Sequence, residues 1–229
     1  MRPIFELALK RILKQRVTLL LMIIFPIAIV FIPQPESMNT PSIAYGIFGL
    51  VILFSAFLLT KQIIDDRQHK TIIRIAAAPI THRDYLLGHV AAYMGVMVIQ
   101  ITMFFILSIV VYDAFVMYYV LAYILLLGFT FMSLTFALFW HTFFKSYETS
   151  IALFSIVANL MSLIGGMSFP LAFLPTELRR VAIIFPTYWY AYGLELSSEK
   201  AYGNAILCLL ILGGFAIIFL LIGSKKRFE

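Results

Sequence analysis

The sequence predicts an all-α membrane protein with six transmembrane helices, an N-terminal interfacial amphipathic helix and a re-entrant helical loop between spans five and six. Three observations carry this. Of the 229 residues, 62% are hydrophobic and only 12% are charged, and the mean hydropathy is +1.00. No single soluble core of this length hides so much apolar surface. The apolar residues fall in six long runs rather than in the short alternating segments of a barrel. Lys and Arg concentrate in alternate connections, which fixes a consistent topology.

Residues 2–16 come first and read as a helix lying in the headgroup plane. Phe5, Ala8, Leu9, Ile12 and Leu13 form an apolar stripe, and Glu6, Lys10, Arg11 and Lys14 a polar one. Glu6 stands four residues before Lys10, a favourable helical pair, and a basic face suits anionic lipid. The six runs that follow are Val17–Ile32, Ile43–Thr60, Leu86–Tyr112, Ala114–Trp140, Thr149–Ser168 and Ala205–Gly223. Each approaches the roughly 20 helical residues that cross a hydrocarbon layer, and helices leave no backbone group unpaired in lipid. The first run is short, contains Pro26 and stops at Pro33. It carries no small-x-small cleavage site, so we read it as retained rather than as a signal peptide.

Lys and Arg number five in the N-terminal tail, five in the second loop, one in the fourth loop and three in the C-terminal tail, against three in the fifth loop and none in the first and third. The excess places both termini in the cytoplasm of a multi-pass protein of the cell membrane. The net charge of +6 is thereby explained by topology, and nucleic acid is not an expected partner. The lone Cys208 lies in an apolar run and reads as a small buried hydrophobe.

Two connections carry the remaining information. The loop 61–84 is cytoplasmic and charged. Thr81 with Asp84 three residues on resembles a capping box that starts the third span in water. Thr71–Ala78 forms two helical turns that end before Pro79. Ile72, Ile73 and Ile75 are apolar outside the bilayer, beside basic Lys70 and Arg74. Such a segment plugs a groove on another protein or folds back onto the membrane surface. The segment 169–202 is interrupted by Pro170, Pro175 and Pro186 and charged by Glu177, Arg179 and Arg180, yet it is apolar elsewhere. It fits a re-entrant pair of short helices, one of them Thr176–Phe185 pinned between prolines. Tyr188, Trp189, Tyr190 and Tyr192 fall at interface level.

Within the six runs no Asp, Glu, Lys or Arg occurs, which argues against an ion-coupled carrier. Gln100, Asn159 and the end-lying His89 and His141 are the strongest polar residues in or beside them; Gln100 and Asn159 bond across helices or line a substrate path. No H-E-x-x-H, no histidine pair at metal-ligand spacing, no G-x-S-x-G and no G-x-x-x-x-G-K-[ST] appears. The chain thus has no motif for catalysis, metal binding or its own nucleotide site.

Two motifs resemble the ABC-2 type permease family, the membrane subunits of certain ATP-binding-cassette exporters. The first is Asp65-Asp66-Arg67, then Lys70-Thr71-Ile72-Ile73-Arg74-Ile75, Pro79-Ile80-Thr81 and Tyr85-Leu86-Leu87-Gly88-His89. The second is Gly165-Gly166, Pro170, Leu174-Pro175 and Pro186-Thr187-Tyr188-Trp189-Tyr190. Lys70 stands where the family favours Gly, and His89 where it favours Lys. The resemblance implies one transmembrane domain over residues 1–229, a second permease copy (identical or related), and a separate ABC ATP-binding subunit that holds ATP and Mg. It implies ATPase coupling through Asp66, Arg67, Lys70, Thr71, Ile72, Arg74, Ile75 and Pro79. It also implies an outer gate around Gly165, Gly166, Phe169, Pro170, Pro175 and Pro186, and no cofactor in this chain. The cargo expected is hydrophobic or amphipathic: a drug, an antimicrobial or amphipathic peptide, or a lipid-like molecule. The alternatives are a glycan or lipid-linked polymer exporter of the same family, an ATPase-independent channel or carrier, and a peptide-immunity membrane protein.

Overall fold

In lipid, apolar side chains gain nothing by leaving one hydrocarbon for another, so helices associate through close packing and hydrogen bonds. The computed structural model, which describes residues 2–33, 42–68, 82–112, 116–169, 171 and 174–225, follows that rule. Among the described residues there are nine α-helices and no strand. They are α1 (Arg2–Lys14), α2 (Arg16–Val30), α3 (Ser42–Gln68), α4 (His82–Val111), α5 (Val116–His141), α6 (Tyr147–Ile164), α7 (Thr176–Ala182), α8 (Pro186–Ser198) and α9 (Tyr202–Lys225).

Five helices are long and apolar enough to cross a membrane: α3, α4, α5, α6 and α9. A sixth span exists if α1 and α2, which meet at a 77° bend, count as one. The apolar run read as the first span is a 15-residue helix, about 22 Å long at 1.5 Å per residue. That is short of a hydrocarbon thickness of about 30 Å, and Pro26 sits inside it. Of the other five runs, four match their helices to within four residues, while α3 continues eight residues past Thr60, so residues 61–68 of the expected loop are helical. α9 begins three residues before Ala205, and α6 ends at Ile164 because Gly165 and Gly166 turn the chain.

α3 and α5 form the centre, each with 67% of its span buried, whereas α4, α6 and α9 are at most 28% buried. Rings interlock the bundle. Phe48 stacks on Phe104 at 3.9 Å, Phe57 on Phe154 at 4.3 Å and Phe129 on Tyr190 at 4.4 Å. Outward, α2 exposes Val17, Leu20, Ile23, Ile24 and Ile27, and α9 exposes Leu207, Leu210, Ile217, Ile218 and Leu221. Apolar faces of that extent belong to a protein whose solvent is hydrocarbon.

Glycines set how closely the helices approach. A Cβ at Gly46 would lie under 3.0 Å from the backbone carbonyl oxygen of Met167, so α3 touches the turn after α6 main chain to main chain. Gly49 receives the ring of Tyr190, and Gly193 of α8 receives Leu125 and Cys208.

Candidate functional site

Two regions at opposite ends of α3 gather the residues that sequence reasoning singled out. At the Gln68 end, α1 lies across the bundle. Its Ile4, Ala8 and Ile12 are buried, while Phe5 and Leu13 are exposed. The apolar stripe read from the sequence is therefore split: Ala8 and Ile12 turn inward with Ile4, and Phe5 and Leu13 turn outward. Gly88 explains the choice. A Cβ there would meet the Ile4 side chain at 2.9 Å, so the missing side chain of α4 seats Ile4 of α1.

One turn before α1 ends, Arg11 Nη1 donates to both carboxylate oxygens of Asp66, each at 2.9 Å. Asp66 is 4% exposed. Its carboxylate thus faces α1 rather than open water. Arg67 lies in α3, and nothing of its side chain is described; Lys70, Thr71, Ile72, Arg74, Ile75 and Pro79, with the whole Thr71–Ala78 segment and Thr81, lie outside the described residues.

Slightly deeper, α3 is tied to the α5–α6 junction by a buried polar set around His141, whose partners Thr60 and Ser150 sequence reasoning missed. Thr60 Oγ1 donates to the carbonyls of Ala56 and Phe57 and lies 2.9 Å from His141 Nε2. Ser150 Oγ stands 3.4 Å from Nδ1 of the same ring. Lys61 sits over the Tyr147 ring, 4.4 Å from its centroid, within reach of a cation–π attraction. The signal in the sequence was weak: Thr60, His141 and Ser150 stand at span ends, where polar residues are ordinary.

At the opposite end, the chain leaving α6 turns through Gly165 and Gly166. Gly166 has φ of 79°, which glycine adopts without a Cβ penalty. Thr187 Oγ1 donates to the Met161 carbonyl at 2.7 Å, and Ser162 and Ser168 hydroxyls meet at 2.7 Å, stitching this turn to α8 and α6. Pro175 precedes α7 and Pro186 is the first residue of α8, where a missing N–H costs nothing. The helix read as Thr176–Phe185 ends at Ala182, because Ile183–Phe185 turn the chain into α8. Phe169 is exposed, and Pro170 lies outside the described residues.

α8 is buried on most sides, and Tyr190 reaches from it to donate to the Tyr45 carbonyl of α3 at 2.8 Å. Half-buried Glu195 and buried Tyr188 stand on α8 also. Burial pushes the Glu195 carboxyl above its ordinary range, with Arg179 opposing and Glu199 adding.

The two mid-span amides differ. Gln100 is buried and donates from Nε2 to Ser55 Oγ at 3.1 Å, joining α4 to α3. Asn159 is exposed on α6, where Nδ2 donates back to the Ser155 carbonyl at 2.7 Å. They lie on separate helices, with no hydrogen bond between them among the described residues. Among the described residues no group of His, Cys, Asp and Glu could hold a metal ion.

An all-helical bundle with five helices long and apolar enough to cross a membrane and a largely aliphatic exterior defines a polytopic membrane protein. A family model described as ABC-2 family transporter protein matches residues 25–225, nearly the whole chain. The chain belongs to that family. No curated protein matches it.

Proposed function

We propose that this chain is the permease subunit of an ATP-driven exporter in the cell membrane, energised by a separate ABC ATP-binding subunit. The observation that carries the reading is the family match over residues 25–225 in a sequence with no phosphate-binding loop of its own. The loop 61–84 docks the ATPase, with Thr71–Ala78 as the coupling helix and Asp66, Arg67, Lys70, Thr71, Ile72, Arg74, Ile75 and Pro79 as the coupling residues. Both termini are cytoplasmic by the Lys and Arg asymmetry. α1 then lies at the inner headgroup layer, its exposed Phe5 and Leu13 suited to lipid and its Lys10 and Lys14 to anionic headgroups.

α7 and α8 form the re-entrant element of 169–202 at the outer side. The depth of α8 supports this: Tyr190 bonds Tyr45, Gly193 abuts Cys208, and both partners belong to spanning helices. Gly165, Gly166, Phe169, Pro170, Pro175 and Pro186 frame the outer gate. A second permease copy completes the pathway, and ATP with Mg resides on the partner ATPase. Closure of the ATPases pushes the coupling helices and shifts the spans as rigid bodies. The cargo is a hydrophobic or amphipathic molecule, because the spans offer aromatic and aliphatic surface and no internal charge.

Affinity purification from native membranes tests the assignment. An ATP-binding chain is expected to co-purify, with ATP turnover that rises when the pair is reconstituted. Transport that runs on an ion gradient with no ATP-binding chain present would overturn it. So would tag accessibility that puts residues 61–84 outside the cell.

A further inference from the structure

α3 and α4 run antiparallel, and two polar contacts fix their register. At one end the Tyr45 and Ser108 hydroxyls meet at 2.7 Å; at mid-span Gln100 Nε2 reaches Ser55 Oγ at 3.1 Å. Two helical turns further along from that pair stand Gln62 on α3 and Tyr93 on α4, and one turn beyond them Asp66 and His89. Ser55, Gln62, Asp66, His89, Tyr93 and Gln100 are all buried. From Ser55 to Asp66 this polar seam is about 16 Å long at 1.5 Å per residue.

The seam holds hydrogen-bonding groups that the fold does not use. Gln62 is 4% exposed, and neither atom of its amide has a partner among the described residues; Gln100 is 3% exposed, and its Oε1 has none either. Buried polar atoms normally find a partner. α2 packs on both α3 and α4 and covers the seam. Its Met22 and Pro26 are buried, and Pro26 has no N–H to give the Met22 carbonyl, which adds an acceptor on that face. Between Gln62 and Gln100 the groups on offer are amides and a hydroxyl. A charge brought there would be stripped of water with nothing to balance it, whereas a hydroxyl or amide both gives and takes hydrogen bonds.

We propose that the α3–α4 seam is a binding site, contained within one copy of this chain, for the uncharged, hydrogen-bonding head of an amphiphile from the inner leaflet. The inference rests on the reading of the cargo as amphipathic and narrows it to heads that bear hydroxyls or amides. The Gln62 amide supplies a donor and an acceptor, and Gln100 Oε1 a second acceptor deeper in. The acyl tail stays in lipid beside α2, whose outward Leu20, Ile24 and Ile27 are exposed. Anionic and cationic heads are turned away for want of a counter-charge at that depth.

The test uses the full chain in vesicles of phosphatidylcholine and phosphatidylglycerol, with a monolauroylglycerol whose acyl chain carries a photoreactive diazirine. Saturable labelling is expected at residues 52–66 and 89–100, competed by plain monolauroylglycerol. Dodecyl phosphate and dodecyltrimethylammonium, which carry the same tail, are expected to compete about fivefold less well or worse. Gln62→Leu and Gln100→Leu should each weaken the labelling about fivefold or more, Gln62→Asn should keep most of it, and labelling of the outward face of α9 should not change. Without probe, Gln62→Leu and Gln62→Met should unfold no earlier than the wild type, because each removes a buried amide that has no partner. Labelling that never saturates, or that both leucine variants leave within about twofold, would overturn the proposal and leave the seam to buried water. So would equal competition by the ionic amphiphiles, or earlier unfolding of both the leucine and methionine variants at Gln62, which would mean that the fold itself uses the amide. The measurement needs neither ATP nor an ATP-binding chain. Failure to find that chain therefore strikes the exporter reading alone, and its presence without labelling at the seam strikes this proposal alone.

Discussion

Replacing Gly46 by Ala is expected to destabilise the protein through one defined contact. The added Cβ would lie under 3.0 Å from the Met167 carbonyl oxygen, with Met167 C and Cα at 3.2 and 3.4 Å. The neighbour is backbone, so no rotamer change relieves the clash; α3 and the turn after α6 must part by about 1 Å to restore van der Waals spacing. Overpacking of that kind costs about 1–3 kcal/mol. The same substitution also gains helix propensity, up to about 1 kcal/mol in an exposed helix. Gly95→Ala isolates the difference, because Gly95 lies mid-helix in α4 with nothing within 4 Å of its added Cβ. The propensity gain is common to both variants, so the gap between them measures the clash: about 1–3 kcal/mol. At roughly 2–4 °C per kcal/mol for a chain of this size, Gly46→Ala should unfold several degrees below Gly95→Ala. Tryptophan fluorescence of purified protein in detergent reads the midpoint. Equal midpoints would refute the main-chain contact between α3 and the Gly165–Met167 turn, and with it the claim that this turn is held against α3.

Two further outcomes are expected. Tyr190→Phe removes the 2.8 Å hydrogen bond to the Tyr45 carbonyl and leaves the stacking on Phe129; a loss of about 1 kcal/mol should appear as a lower midpoint without change in helicity. Burial raises the Glu195 carboxyl, against Arg179, so the folded state binds that proton more tightly than the unfolded chain. Stability from this group is therefore present at low pH and lost as pH rises from the ordinary carboxyl range through the raised value. Glu195→Gln should flatten that decline and raise the midpoint at neutral pH; an unchanged pH profile would show that Glu195 is solvated as an ordinary surface acid.

What the sequence made legible and what it hid divide along a physical line. Membrane insertion depends on the apolar content of one segment, which a single run displays, so the limits of α4, α5, α6 and α9 could be read to within four residues, whereas α3 runs eight residues past Thr60 to Gln68. α2 lies within two residues of its run but gives only 15 helical residues, too few for a full crossing, because Pro33 and the bend at Gln15 close it from both sides. Association is different. Lipid supplies no hydrophobic drive between helices, so it depends on pairs distant in sequence: Arg11 with Asp66 across 55 residues, Thr60 with His141 across 81, Tyr190 with Tyr45 across 145. Periodicity within α1 could show that it has an apolar stripe, but only the gap at Gly88 decides that Ile4 fills it and Phe5 does not. The same reasoning explains Asp66. In a charged stretch a carboxylate reads as solvated and available to a partner protein, and its burial becomes visible only once α1 folds back on α3. A charge next to a loop is therefore visible in the sequence, but its burial and its partner 55 residues away are not.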